Sequence, residues 1–189
     1  TVLKVLRPLK NDSTVMEFKI TRKNIRNNPV PYYGMLKDSI GYLSLTGFTD
    51  NCAKDVKKAF IELKQQGAKA LVIDLRDNGG GSLQEAVDII NFFVPKGKEI
   101  VVTKGKIRQA AGSFKTQNEP IDTEMPLAVL VNGNTASASE ILSGSMQDMD
   151  RAVIIGTRTY GKGLVQTTRP LPYNCLLYTS DAADDGESV

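Results

Sequence analysis

The alternation of apolar and polar positions divides the chain into three stretches. "TVLKVLR" (1–7) and "VMEFKITR" (15–22) alternate residue by residue, with the turn-rich "PLKNDST" between them, so residues 1 to 25 are predicted to form a β-hairpin. Two strands alone are marginal in water, so the hairpin is expected to be the end of a larger domain. "RNNPVPYY" then breaks the pattern with two prolines, and residues 26 to 39 are expected to be a linker.

From residue 40 the period switches repeatedly between two and 3.6. "IGYLSL" (40–45) is strand-like. "DNCAKDVKKAFIELKQQG" (50–67) sets Ala53, Val56, Phe60 and Leu63 on one helical face and stops at Gly67. "ALVIDLR" (70–76) reads as a buried strand. "SLQEAVDIINFFV" (82–94) opens on Ser82 and Glu85, the spacing of a capping box, and continues as a helix. "EIVVTKG" (99–105), "PLAVLVNG" (126–133) and "AVIIGT" (152–157) are strands, and "SASEILSGSMQD" (137–148) is a helix. Repeated strand–helix alternation predicts an α/β fold with a largely parallel sheet. The pattern ends near residue 174, and "CLLYTSDAADDGESV" (175–189) has no period.

Composition narrows the function without naming it. With 189 residues and 41% apolar content, one ordinary core is expected. The net charge of +3 comes from scattered Lys and Arg, which argues against nucleic acid as a partner. No apolar run approaches the ~18 residues of a membrane-spanning helix. The chain opens on Thr1 rather than Met, so a targeting segment is expected upstream. Cys52 and Cys175 lack metal or redox spacing, and no metal or cofactor is expected. The chain holds no histidine, so a hydroxyl nucleophile here needs another base.

In parallel sheets, chemistry gathers where strands end and helices begin. "IDLRDNGGGS" (73–82) is one such junction. Its three glycines leave backbone N–H groups uncovered beside a helix start, which fits an anion or oxyanion site as well as a tight turn. "LVNGNTASASE" (130–140) is another. It fits a strained elbow that presents a nucleophile, or a helix capped by Ser137 or Thr135. In "GTRTYGKGLVQ" (156–166), Lys162 lies between two glycines, as a closely enclosed base or as a surface turn residue. Gly156 to Lys162 also spells G-x-x-x-x-G-K. Gly163 stands where a phosphate-binding loop needs Ser or Thr, and "LVQTTRP" is β-like, so nucleotide binding is rejected.

Taken together and in this order, "DLRDNGGG", "NTASASEILSG", "QD" and "YGKGLVQ" resemble the carboxyl-terminal processing peptidases, or tail-specific proteases, from residue 1 to about residue 174. The resemblance implies a crotonase-like α/β core, a Ser–Lys dyad, and a PDZ domain that captures substrate C-termini by adding them to a sheet edge. It selects Ser137 as nucleophile, because the family's serine lies 25 residues before its lysine, and Lys162 as general base. Ser139 is then a packing or capping residue. Gln166 matches the glutamine that holds the family's lysine. Asp148 matches an acidic position of some members, or is a plain helix-end carboxylate near Arg151. The oxyanion hole is expected to pair the Ala138 N–H with one from residues 79 to 81, Gly80 being favoured. Residues 1 to 25 become the last strands of the PDZ domain, and 40 to 174 the protease core. Protein or peptide substrates with free C-termini, and a periplasmic or envelope location, are implied. The resemblance leaves the oligomeric state open.

Two other function classes compete. A peptide-binding module on the same scaffold would lose the serine or the lysine, yet both are kept. A crotonase-type acyl-CoA enzyme would not need the pair at this spacing. The tail has a separate explanation. Cys175 to Asp184 is what a common transposase-based sequencing adapter spells when translated, and the end at Val189 fits the stop codon that follows. Residues 175 to 189, with four acids and no base, are therefore expected to carry neither fold nor function.

Overall fold

The structure is a computed structural model that describes residues 1–8, 13–21, 23, 25, 27–105 and 111–179. Its centre is a five-stranded sheet of β3 (Tyr32–Met35), β4 (Ile40–Ser44), β5 (Ala70–Asp74), β8 (Leu127–Val131) and β9 (Val153–Gly156), in that spatial order. β3 runs antiparallel to β4 and the other pairings are parallel. The register sets Ser44, Asp74, Leu130 and Ile155 in one row, so the carboxyl ends of four parallel strands reach the same edge of the sheet.

Three helices form a row against this sheet: α1 (Cys52–Gln65), α2 (Leu83–Ile90) and α3 (Ala138–Asp148). Val56, Phe60 and Leu63 of α1, Ile89 and Ile90 of α2, and Leu142 and Met146 of α3 are fully buried with Leu43, Leu71, Ile73 and Val129 of the strands. Phe60 meets Phe93 edge-on, with ring centroids 5.0 Å apart. The other face of β5 and β8, carrying Val72, Ala128 and Leu130, is only half-buried. The expected buried strand is thus closed on one face and partly covered on the other. Among the described residues, no helix is long and apolar enough to cross a membrane.

The helix ends show local sequence meeting tertiary demand. Gly67 takes φ +93° just after α1, and its N–H bonds back to the Lys64 carbonyl. At α2, Ser82 Oγ accepts the Glu85 N–H at 3.4 Å, one half of the expected capping box. The other half is redirected. α1 begins after Asn51, which is left-handed and does not cap with its own side chain; the Cys52 N–H bonds the Thr49 carbonyl, but the N–H groups of Asn51 and Ala53 need an acceptor. Glu85 supplies one, accepting from Asn51 N–H at 2.7 Å and Ala53 N–H at 2.8 Å.

Three regions differ from the sequence expectation. Residues 32 to 35 of the expected linker form β3, and Val30 enters the core. β6 (Glu99–Thr103) does not join the parallel sheet. It pairs antiparallel with β7 (Gly112–Lys115), which no sequence signal marked. At the start of the chain, β1 (Val2–Pro8) and β2 (Ser13–Lys19) form the expected antiparallel hairpin, which pairs with no other described strand. At the other end, Cys175–Thr179, expected to carry no fold, form β11, which pairs antiparallel with β10 (Thr167–Leu171) in a separate two-stranded sheet. Residues 180 to 189 of the expected adapter segment lie outside the described residues.

Candidate active site

The loops that follow β5, β8 and β9 meet above the carboxyl edge of the sheet. After β5 the chain runs through Asn78 and the three glycines into α2. Asn78 is fully buried. Its Nδ2 donates to the Leu45 carbonyl at 2.7 Å, its Oδ1 accepts the Gly80 N–H at 2.9 Å, and its own carbonyl accepts from Ala136 N–H at 3.0 Å. One side chain thus pins the glycine loop to the end of β4, and its backbone pins the same loop to the serine turn. Gly80 passes so close to that turn that a Cβ on it would stand 2.7 Å from the Ala136 carbonyl and 2.9 Å from the Ala138 nitrogen.

After β8 the chain turns through Asn132 to Ala136. Thr135 Oγ1 donates to the Leu75 carbonyl at 2.8 Å and accepts the Asn132 N–H at 2.9 Å, fixing this turn to the end of β5. Ser137 follows with φ 58° and ψ −118°, a conformation that non-glycine residues adopt only when their surroundings impose it. The strained elbow is therefore present, and the Glu140 N–H bonds the Ser137 carbonyl at 2.8 Å. Ser139, in contrast, is fully buried, and its Oγ donates to the Asn78 carbonyl at 2.9 Å. Its hydroxyl ties two loops together, in keeping with the packing role expected for it.

Gly156 ends β9 with φ +142° directly over Val131, where a Cβ would collide with the Val131 carbonyl. The chain then returns over the serine turn, with the Tyr160 N–H donating to the Thr135 carbonyl at 3.0 Å. Lys162 is half-buried, and its Nζ donates to Gln166 Oε1 at 2.9 Å. The Lys162 N–H donates to Glu140 Oε2 at 2.9 Å, and the same oxygen accepts the Ser137 N–H at 2.8 Å. The two backbone nitrogens therefore lie within about 6 Å of each other.

Two of the expected site residues are placed differently. The Gly80 N–H, expected to face an oxyanion, is held by Asn78 Oδ1. The side chain of an Asn-Gly turn reaches its own loop first. Asp148 is exposed at the last position of α3, whose first residue follows Ser137. At 1.5 Å per residue the helix sets the two about 16 Å apart, so Asp148 does not join the cluster. Arg151 does not pair with it either, donating instead to the carbonyls of Phe93 and Asp122.

Glu140 is the site residue that sequence reasoning missed. It stands three residues after Ser137, a spacing that signals a capping box, yet nothing local announces its partners in the lysine loop. Burial pushes its carboxyl upward. Hydrogen bonds from Thr159, Gly161, Ser137 and Lys162 outweigh burial and hold it below the ordinary value.

A strained serine elbow, a glycine loop pressed against it and a loop bearing Lys162 thus meet at one edge of the sheet. The chain belongs to peptidase family S41, whose sequence model matches residues 39–183. It is 43% identical over 156 residues to a carboxyl-terminal-processing protease of Synechocystis sp., covering 80% of this chain and 35% of that protein. It is 39% identical over 172 residues to a probable CtpA-like serine protease of Staphylococcus haemolyticus, covering 89% of this chain and 34% of that protein. Among solved structures, it superposes on a photosystem II D1 C-terminal processing protease with a TM-score of 0.69 and 32% identity, over 90% of this chain and 46% of the other. The chain thus spans about a third of the length of the curated relatives it matches.

Proposed function

We propose that these residues form the catalytic core of a serine endopeptidase that cleaves protein or peptide substrates near their free C-termini. Ser137 Oγ attacks the scissile carbonyl carbon while the neutral Lys162 amine takes the hydroxyl proton. The oxyanion that forms is held by the Ala138 N–H and by the glycine loop. Gly80 offers its own N–H there only by leaving Asn78. Collapse of the intermediate breaks the C–N bond, and Lys162 returns the proton to the departing amine. Water then attacks the acyl-serine with Lys162 again as base. Gln166, which accepts a hydrogen bond from the lysine, orients it between these steps.

The observation that carries this reading is the elbow conformation of Ser137, coupled through one carboxylate oxygen to the backbone of Lys162. The names of the relatives support the substrate class. Residues 1 to 25 belong, in this reading, to a PDZ domain that presents substrate tails, joined to the core by the few residues before Val30. Residues 175 to 189 are read-through from an adapter. The place of action is outside the cytoplasm, in the periplasm or cell envelope.

The test uses the full open reading frame that carries these residues. Ser137→Ala and Lys162→Ala are each expected to remove nearly all cleavage of an unstructured C-terminal tail and all labelling by a fluorophosphonate probe. Ser139→Ala is expected to lower stability but to keep the nucleophile. Labelling that survives Ser137→Ala would assign the nucleophile elsewhere.

A further inference from the structure

We propose that Glu140 is the positioning residue that holds the lysine-bearing loop on the serine elbow, an inference that rests on the Ser137–Lys162 assignment above. A glutamate three residues into a helix ordinarily bonds only the N–H of the capping residue. Here each carboxylate oxygen takes two donors. Oε2 accepts from the backbone of Ser137 at 2.8 Å and of Lys162 at 2.9 Å. Oε1 accepts from Thr159 Oγ1 at 2.7 Å and from the Gly161 N–H at 2.6 Å. Three of the four donors belong to the lysine loop, and the fourth is the backbone of the nucleophile itself.

The side-chain type follows from the donors. Four N–H or O–H groups converging on two atoms require two oxygens that only accept, which an ionised carboxylate provides and an amide does not. A glutamine would turn its NH₂ toward two of these groups and set it against at least one backbone N–H, since only the Thr159 hydroxyl can turn to accept. An aspartate keeps the charge but is one methylene shorter. The start of a helix favours a negative charge, and the hydrogen bonds outweigh burial to keep the group ionised in the neutral range. Lys162 is followed by Gly163, so the main chain next to it gains nothing from side-chain packing. The direction in which its amine leaves the loop is set at its own N–H, on Glu140.

Two measurements test this role. The first is an acid titration of ¹⁵N-labelled protein. The amide signals of Ser137, Gly161 and Lys162 are expected to move together with one apparent pKa below the ordinary 4.5, and to lose that common titration in Glu140→Gln. Three unrelated titrations, or none, overturn the proposal and leave the Ser–Lys assignment standing. The second follows fluorophosphonate labelling of Ser137 and peptide cleavage in the full reading frame. Glu140→Gln is expected to slow labelling about a hundredfold, the usual size for a misplaced catalytic group. It should lower kcat with KM little changed, and Glu140→Asp should recover part of the rate. If Lys162→Ala labels as fast as the parent, the dyad itself is wrong. If Lys162→Ala is silent and Glu140→Gln labels at the parent rate, the positioning role alone falls. Should Glu140→Gln not fold, Thr159→Val removes one donor and keeps the carboxylate. An about fivefold slower labelling is then expected, the worth of one hydrogen bond, and an unchanged rate overturns the proposal.

Discussion

Gly80 and Gly156 show how narrowly single atoms constrain the site. Gly80 adopts φ +98° and faces the serine turn, and Gly156 adopts φ +142° over Val131. Gly79, one residue away from Gly80, has open space where a Cβ would stand. Gly80→Ala and Gly156→Ala are each expected to cost more than about 3 kcal/mol, from left-handed strain and backbone overlap together. Gly79→Ala is expected to change stability by under about 1 kcal/mol. Urea midpoints of the three variants decide this, and equal midpoints for the alanines at 79 and 80 would contradict the close packing. At this scale the sequence was informative about backbone and less so about side chains. The Gly-Asn turn before "TASASE" announces an elbow, because glycine and asparagine are what such a turn demands. Asn78 and Glu140 escaped notice because their partners are distant. Asn78 reaches Leu45, and Glu140 reaches a loop some twenty residues on. Local spacing carries no record of such partners.

Helices and strands were legible where one face decides their burial. α1 follows its apolar stripe and stops at Gly67, because a stripe at that period can be buried only as a helix. β6 was read as a member of the parallel sheet because alternation reports a half-buried strand and not its partner. Its actual partner, β7, is four residues long and mostly exposed, too short and too polar to signal itself. Likewise β3 hides behind the prolines at 29 and 31, an edge strand whose rim tolerates what a central strand would not. The redirected Glu85 gives an element-scale prediction. Glu85→Ala leaves two N–H groups at the start of α1 without their acceptor, and is expected to destabilise the fold by about 1–2 kcal/mol. The loss should appear as faster amide exchange at Asn51 and Ala53. Faster exchange confined to α2 would mean that Glu85 caps its own helix in solution.

For the whole molecule, acid is the informative stress. Burial pushes the Asp122 carboxyl up, but the Lys64 ammonium and the N–H groups of Met125 and Glu124 overcome it and bring it down to about 2. Asp74 is raised by burial and lowered more by Arg76 and Tyr42. A carboxyl whose folded value is depressed adds stability above its unfolded value, and that stability is lost as pH falls through the folded one. The urea midpoint is therefore expected to be steady down to the ordinary 3.8 and to fall from there towards about pH 2. Asp122→Asn should flatten part of that fall. A midpoint that rises on acidification would refute the assignment. A second molecule-scale expectation concerns the 174/175 junction. Two-stranded pairing of β10 with β11 is marginal by itself, and the adapter reading predicts that amplification of the source locus across the junction returns other codons there. Recovering codons for residues 175 to 189 in frame would sink that reading.

The order of the strands has a consequence for the newborn chain. The glycine loop, the serine and the lysine are laid down in that sequence along the polypeptide, with 25 positions between Ser137 and Lys162. A chain still leaving the ribosome thus carries Ser137 before Lys162 has been made. The clasp between them closes only when Gly161 and Lys162 arrive at Glu140. Under the proposed Ser–Lys mechanism, immaturity is a safeguard that needs no inhibitor, because a half-made copy holds the serine without its base.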